Sequence, residues 1–214
     1  MKGKPLPPEI KTMLNLIYLT YGAAFDLDST HQEALKLKFK LAQIRQNDET
    51  GYYGISFQHI ETGAITLVHR GTDSIDVFKP FGTIRDVVKN LDIRTVKNII
   101  LSLRTDVRDD ALIASDGKPK QADDAFTFLN EVVQNNKEAN IIQIEHSLGG
   151  CLAEICYQRL GEEIETYAFD SPGYAVTNTG PIGPKAIHYF MSSPHAINTC
   201  LPHLDSSRPN IMLH

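Results

Sequence analysis

The residues best suited to chemistry fall in one short run, Ile141-Ile-Gln-Ile-Glu-His-Ser-Leu-Gly-Gly150. An apolar strand candidate ends at Glu145, Ser147 occupies the turn, and Leu148-Gly149-Gly150 opens a stretch with helical spacing. A sharp strand–turn–helix pushes its central side chain out of both elements and presents the hydroxyl above the sheet edge. The small residues that follow let strand and helix approach closely. The amide of Leu148, at the helix N-terminus, would face an anionic oxygen developing beside Ser147. A serine ahead of a helix is more often only a cap; the upstream strand and the flanking His146 and Gly149 favour a nucleophile. His146 is adjacent to Ser147, so its side chain is expected to point elsewhere than a general base must.

The elements that must carry this run are read from periodicity. Ile10, Met13, Leu14, Ile17, Tyr18 and Tyr21 follow Pro8 at helical spacing, and Gly22 is a stop. A second helix is expected from about Thr30 to Arg45, carrying Leu35, Leu37, Phe39 and Leu41. From Tyr52 to Val68 the pattern alternates around Glu61-Thr62-Gly63, which is a hairpin signal. Thr83 and Asp86 look like a capping pair for a helix through Val87, Val88, Leu91 and Val96. The charged, irregular stretch from about Arg104 to Gln121 reads as a loop. Ala125, Phe128, Leu129, Val132 and Val133 form a helical stripe, Ile141 to Ile144 a strand, and Leu152, Ile155, Cys156 and Leu160 another helix. Glu165 to Phe169 and Ala186 to Phe190 are two further strands. This alternation predicts a mostly parallel sheet covered by helices.

Composition narrows the class. A chain of 214 residues with 42% hydrophobic and 22% charged residues fits a single folded domain, residues 1–214, with a helical part over 1–50 packed on it. Lys and Arg total 21 against 26 Asp and Glu, a formal charge of −5, which lacks the basic footprint of a nucleic-acid binder. The apolar run from Met13 to Phe25 is broken by Asn15, Thr20 and Tyr21 and is too short to span a bilayer. Pro5, Pro7, Pro8 and Glu9 are unlike a signal peptide. Cys151, Cys156 and Cys200 are too few for a disulfide framework, and no paired spacing suggests zinc. The expectation is a cytoplasmic protein without metal, cofactor or integral membrane segment.

His-Ser-Leu-Gly-Gly after an apolar strand resembles the Gly-His-Ser-Leu-Gly-Gly motif of the α/β-hydrolase superfamily, especially the fungal-type (class 3) lipases. Thr66-Leu-Val-His-Arg-Gly-Thr-Asp-Ser74 is similar to the strand and Arg-Gly-Ser/Thr turn that supplies the second oxyanion donor in them, which implies that role for Thr72. Arg85-Asp-Val-Val-Lys-Asn-Leu-Asp92 resembles their next helix, where a Trp usually stands at the place of Val87 or Val88. The resemblance runs from roughly Gly51 to Gly173. It departs at Glu145, where the family usually has Gly two residues before the nucleophile, because a side chain crowds the turn. Arg70 and Asp86 are read as structural ion-pair partners.

A serine hydroxyl needs a histidine to accept its proton and a carboxylate to fix that histidine's tautomer. The resemblance implies the chain order Ser, acid, His. Asp170, in Phe169-Asp-Ser-Pro-Gly173, stands at the end of the strand after the nucleophile helix, as in the pancreatic-lipase arrangement. Fungal-type lipases carry the acid one strand later, where Met191 to Asn198 holds no carboxylate. Asp170 therefore ranks ahead of Asp205, and a turn-forming role is its alternative. His203 ranks first and His195 second as the base. His188, mid-strand, is expected to be packed, and His214 is terminal.

These residues imply an α/β-hydrolase-like fold, a central mainly parallel sheet with helices on both faces. They imply a serine esterase or lipase acting on an ester or lipid-like small molecule, with Ser147, His203 and Asp170 as triad and the amides of Thr72 and Leu148 as oxyanion donors. A degenerate hydrolase that binds lipid or a protein partner, and an acyl transferase or thioesterase, are the other readings. The weakly apolar Arg104–Gln121 stretch, at the place of the lipase lid, suggests soluble short-chain esters.

Overall fold

Among the described residues, strand order in space equals strand order in the chain. The computed structural model describes residues 8–23, 26–70, 119–160, 164–173, 187–191 and 211–212, and its seven strands form one sheet ordered β1 to β7. β1 (Phe39–Asn47), β2 (Tyr52–His59) and β3 (Ile65–His69) form an antiparallel meander. β4 (Ile141–His146), β5 (Glu165–Phe169), β6 (Ile187–Met191) and β7 (Ile211–Met212) extend it with parallel neighbours. The two kinds of joint follow from their connections. Gly63, at φ +72, lets the short link after β2 double back into β3. A parallel neighbour needs a crossover, which α4 (Leu148–Leu160) makes between β4 and β5.

Helices cover both faces, as the alternation in the sequence predicts. On one face α1 (Pro8–Ala23) and α2 (Leu27–Lys36) bury Leu14, Leu16, Ile17, Leu19 and Ala34 against Ile55, Phe57, Val68, Ile144, Phe169 and Phe190. On the other, α3 (Ala122–Asn135) and α4 bury Ala125, Phe128, Leu129, Leu152 and Ile155 against Tyr52, Ile65, Leu67 and Ile141. Successive strand residues serve opposite faces, so Ile141 and Ile144 fall into different clusters. Each such large side chain contributes about 1.5–3 kcal/mol by leaving water. No helix among the described residues is long and apolar enough to cross a membrane.

The expected helix over Thr30–Arg45 is corrected: α2 stops at Lys36 and β1 begins at Phe39. Asp26 starts α2 by accepting from Ser29 N at 2.8 Å. At its far end Leu37 N and Lys38 N bond back to the carbonyls of Ala34 and Leu35. Lys38 then takes φ +66, which no helix continues through. From Phe39 the chain alternates between half-buried and exposed positions, with a register shift between Leu41 and Gln43. Beyond the shift, Arg45 and Asn47 reach α3, where Arg45 Nη1 lies 2.8 Å from Glu131 and Asn47 Nδ2 donates to Asp124 at 3.0 Å. The segment up to residue 50 thus supplies an edge strand as well as helices. The helix expected after Thr83, and the loop from Arg104 as far as residue 118, lie outside the described residues.

Candidate active site

The turn between β4 and α4 holds Ser147 at φ +56. For a residue with a side chain this left-handed conformation costs about 1–2 kcal/mol, so neighbouring bonds must impose it. Ser147 N donates to Phe169 O at 3.0 Å, tying the turn to the end of β5, and Gly150 N donates to Ser147 O at 2.8 Å as α4 begins. The side chain is buried, and Oγ has no hydrogen-bond partner among the described residues. Buried hydroxyls rarely stay unpaired. Leu148, Gly149 and Gly150 supply the first turn of α4 behind it, whose amides point along the helix axis towards the turn. His146 falls on the α1 side, its ring edge-on to Tyr21 with centroids 6.4 Å apart.

Asp170 occupies the matching place one strand over. It follows β5 as Ser147 follows β4, has φ +48 and is buried. Its N donates to Phe190 O at 2.8 Å, so the β5 end is tied to β6 as the β4 end is tied to β5. The next residue, Ser171, is gripped by α4: its Oγ donates to Glu154 Oε1 at 2.9 Å and accepts from Gly173 N at 3.2 Å. Glu154 also accepts from Tyr189 Oη at 3.3 Å. The absence of a side chain at Gly150 allows this approach, since a Cβ there would lie 2.6 Å from Ser171 Cβ.

Glu145 directs its side chain away from the turn, towards β3. Its side chain is fully buried on the α4 side of the sheet, and both carboxyl oxygens accept from His69 N, at 2.9 and 2.8 Å. The β3–β4 ladder is paired only through Leu67 and Gln143. Arg70 N turns to Tyr53 O on β2, so the preceding amide, His69, points to β4, and the Glu145 carboxyl meets it there. Burial pushes the Glu145 pKa well above the usual carboxylate range, and the His69 amide pulls it back in part.

Around this contact lies a chain of buried polar groups. Tyr52 Oη and His69 Nδ1 are 2.6 Å apart, His69 Nε2 and Gln143 Oε1 3.3 Å, and Gln143 Nε2 donates to Thr166 Oγ1 at 3.1 Å. Gln143 can only accept through Oε1, so the proton of a neutral His69 sits on Nε2 and Tyr52 donates to Nδ1. Burial lowers the His69 pKa to about 4, with the Gln143 bond acting against it. Cys156 Sγ lies 3.9 Å from the same Nε2, and burial raises its pKa well above the ordinary thiol value.

The structure thus brings Ser147, Leu148 and Asp170 together at the carboxyl edge of β4 and β5. Thr72, His195, His203, Asp205 and Asp86 lie outside the described residues. His188 is on β6, half-buried, with Nε2 2.9 Å from Glu165 Oε1 and its ring stacked on Tyr167. Arg70 places its guanidinium 4.8 Å over the Tyr53 ring. The sequence reading assigned no role to His69, Gln143 or Glu154. For Gln143 the signal is a polar residue alternating with Glu145 in an otherwise apolar strand. Among the described residues no group of three or more His, Cys, Asp or Glu is placed to hold a metal ion.

No protein-family model matches the chain, and no curated protein sequence matches it. Its fold is that of the fungal lipases, of α/β-hydrolase type. A lipase from Rhizopus microsporus var. chinensis superposes with a TM-score of 0.52 at 17% identity, over 92% of this chain and 71% of that one. The Rhizomucor miehei lipase in its propeptide complex gives 0.47 at 12% identity, over 88% and 61%. A triacylglycerol lipase from Penicillium expansum gives 0.46 at 14%, over 92% and 75%. The chain spans about three fifths of the length of the Rhizomucor protein.

Proposed function

We propose that the protein is a serine ester hydrolase that works through an acyl-enzyme on Ser147. The observation that carries this reading is the left-handed backbone of Ser147, with a buried Oγ that has no hydrogen-bond partner among the described residues, between the end of a central strand and a helix N-terminus. A strained residue with an unsatisfied hydroxyl is a cost to the fold, and such costs cluster at reactive sites. Ser147 Oγ attacks the ester carbonyl carbon while His203, with His195 second in rank, takes its proton. Asp170 orients that histidine and stabilises its charge. The amides of Leu148 and Thr72 donate to the tetrahedral oxyanion. The histidine then protonates the leaving alcohol, and water repeats the sequence to release the acid.

The substrates are small soluble esters. The stretch from Leu103 to Lys120 has Ala111-Leu-Ile-Ala114 as its only apolar cluster, too little for a lid that opens onto lipid. A fluorophosphonate probe tests the nucleophile, since only an activated serine is phosphonylated. Wild-type protein should label and Ser147→Ala should not. A folded wild type that neither labels nor turns over p-nitrophenyl acetate would replace this reading with ligand binding on an inactive hydrolase fold. Turnover that rises sharply as an ester passes its solubility limit would make it a true lipase. Faster transfer to alcohols or amines than to water would make it an acyl transferase.

A further inference from the structure

Among the described residues, the Glu145 side chain joins the carboxyl ends of β3 and β4. The β3 strand leads into Arg70-Gly71-Thr72, and β4 leads into Ser147. Between the carboxyl ends of these strands the ladder is paired only as far as Leu67 and Gln143, and the Glu145 carboxyl takes the amide of His69 with both oxygens. Backbone pairing would tie the strands at a fixed spacing of about 4.8 Å; a side chain of several bonds sets a different one. Gly or Ala at this position would leave the His69 amide without that acceptor. The carboxyl is an expensive way to satisfy one amide, because it is fully desolvated and has no cation beside it among its described partners.

We infer that Glu145 is a positioning residue for the proposed acyl transfer, a strut that fixes the end of β3, at His69 and Arg70, relative to Ser147. The inference rests on the acyl-enzyme reading above and adds to it how the two strand ends are held in register. The Glu145 carboxyl touches no reacting atom; it acts through the backbone of β3. Oxyanion donors are effective only within a few tenths of an ångström of their working place, so a loosened strand end slows chemistry more than substrate binding.

The experiment compares Glu145→Ala, Glu145→Gln and Tyr52→Phe with wild type. Readouts are the rate of fluorophosphonate labelling, kcat and KM on p-nitrophenyl acetate, and hydrogen exchange at the His69 amide. Glu145→Ala should label and turn over about 10- to 100-fold more slowly, with KM within about twofold and faster exchange at His69. Glu145→Gln keeps one oxygen to accept from His69 N and should recover most of the rate. Tyr52→Phe removes the bond to His69 Nδ1 but leaves the His69 amide bound, so it should keep wild-type kcat whatever it costs in stability. Wild-type labelling with an undiminished rate in Glu145→Ala overturns the inference and leaves the acyl-enzyme reading standing. So does an equal loss in Tyr52→Phe, which would mark general destabilisation. A wild type that does not label overturns both.

Discussion

Ser147 and Asp170 stand side by side, one residue beyond the paired ends His146 and Phe169 of two parallel strands, and both have left-handed backbone. Two adjacent left-handed residues, neither a glycine, are an unusual concentration of strain. The amide bonds from Ser147 to Phe169 and from Asp170 to Phe190 pass from strand to strand and hold both turns in place. The hydroxyl and the carboxyl are thereby carried on turns tied by backbone bonds to the neighbouring strands.

Ser147→Ala and Ser147→Gly should both abolish ester hydrolysis and labelling. They should differ in stability, because glycine adopts φ +56 at no steric cost while alanine does not. Ser147→Gly is expected to be about 1 kcal/mol more stable than Ser147→Ala in urea denaturation. Equal midpoints would show that the turn is unstrained.

Asp170→Asn keeps the shape of the side chain and removes its charge. If Asp170 orients the histidine, kcat falls by on the order of 10⁴. A loss under about tenfold in a folded variant would pass the role to Asp205. Circular dichroism and a thermal midpoint alongside the kinetics separate the two outcomes.

Gly150→Ala sets two effects against each other. Alanine is the better helix former by about 1 kcal/mol, yet its Cβ would sit 2.6 Å from Ser171 Cβ and 2.8 Å from Ser171 Oγ. Overpacking of this kind costs about 1–3 kcal/mol, so the clash wins and α4 must shift. Both stability and kcat should fall, since α4 carries the Leu148 amide. Unchanged values of both would mean that the Asp170–Gly173 turn yields freely.

His69 gives a pH signature. Folded, it titrates near 4, against an ordinary 6.5. Above about pH 6.5 both states are neutral there. Between 6.5 and 4 the unfolded chain binds a proton that the native protein does not, so stability falls as pH drops through that window. The loss amounts to about 3 kcal/mol in all. Glu145 has a raised pKa, so above about 4.5 its contribution falls as pH rises, in the opposite sense. The difference between wild type and His69→Gln therefore isolates the histidine. Between pH 7 and 4.5 the variant should lose less stability than wild type; equal losses would remove His69 from the account.

The local features were the legible ones. The turn at Ser147 could be read because strand, serine and small residues are contiguous, and the hairpin because Glu61-Thr62-Gly63 carries its own turn chemistry. β1 misled because Leu35, Leu37, Phe39 and Leu41 are spaced two apart, which suits a strand, while the polar residues between them suit an exposed helix. The backbone at Lys38 and pairing with β2 decide the matter, and neither is visible in a short window. The work of Glu145 was hidden for a related reason. Its partner His69 is 76 residues away in sequence, and a departure from a motif does not say which distant amide a side chain will meet.

The identity of spatial and chain order in the sheet bears on how the protein is made. Each described strand after β1 pairs with the described strand that precedes it in synthesis, so among the described residues no late strand is inserted between two earlier ones. The β1–β3 meander, with short connections and low contact order, should form first. The strand bearing the serine then docks on a finished template and becomes the template for the strand bearing Asp170. Pulse-labelled hydrogen exchange during refolding would show this as protection at Ile55 and Val68 preceding protection at Ile144, and that at Ile144 preceding Ala168. Simultaneous protection would instead mean that the sheet closes in one step. In the stepwise case the edge that carries Ser147 and Asp170 is assembled only after the meander, and truncated chains would carry a folded hairpin platform without it.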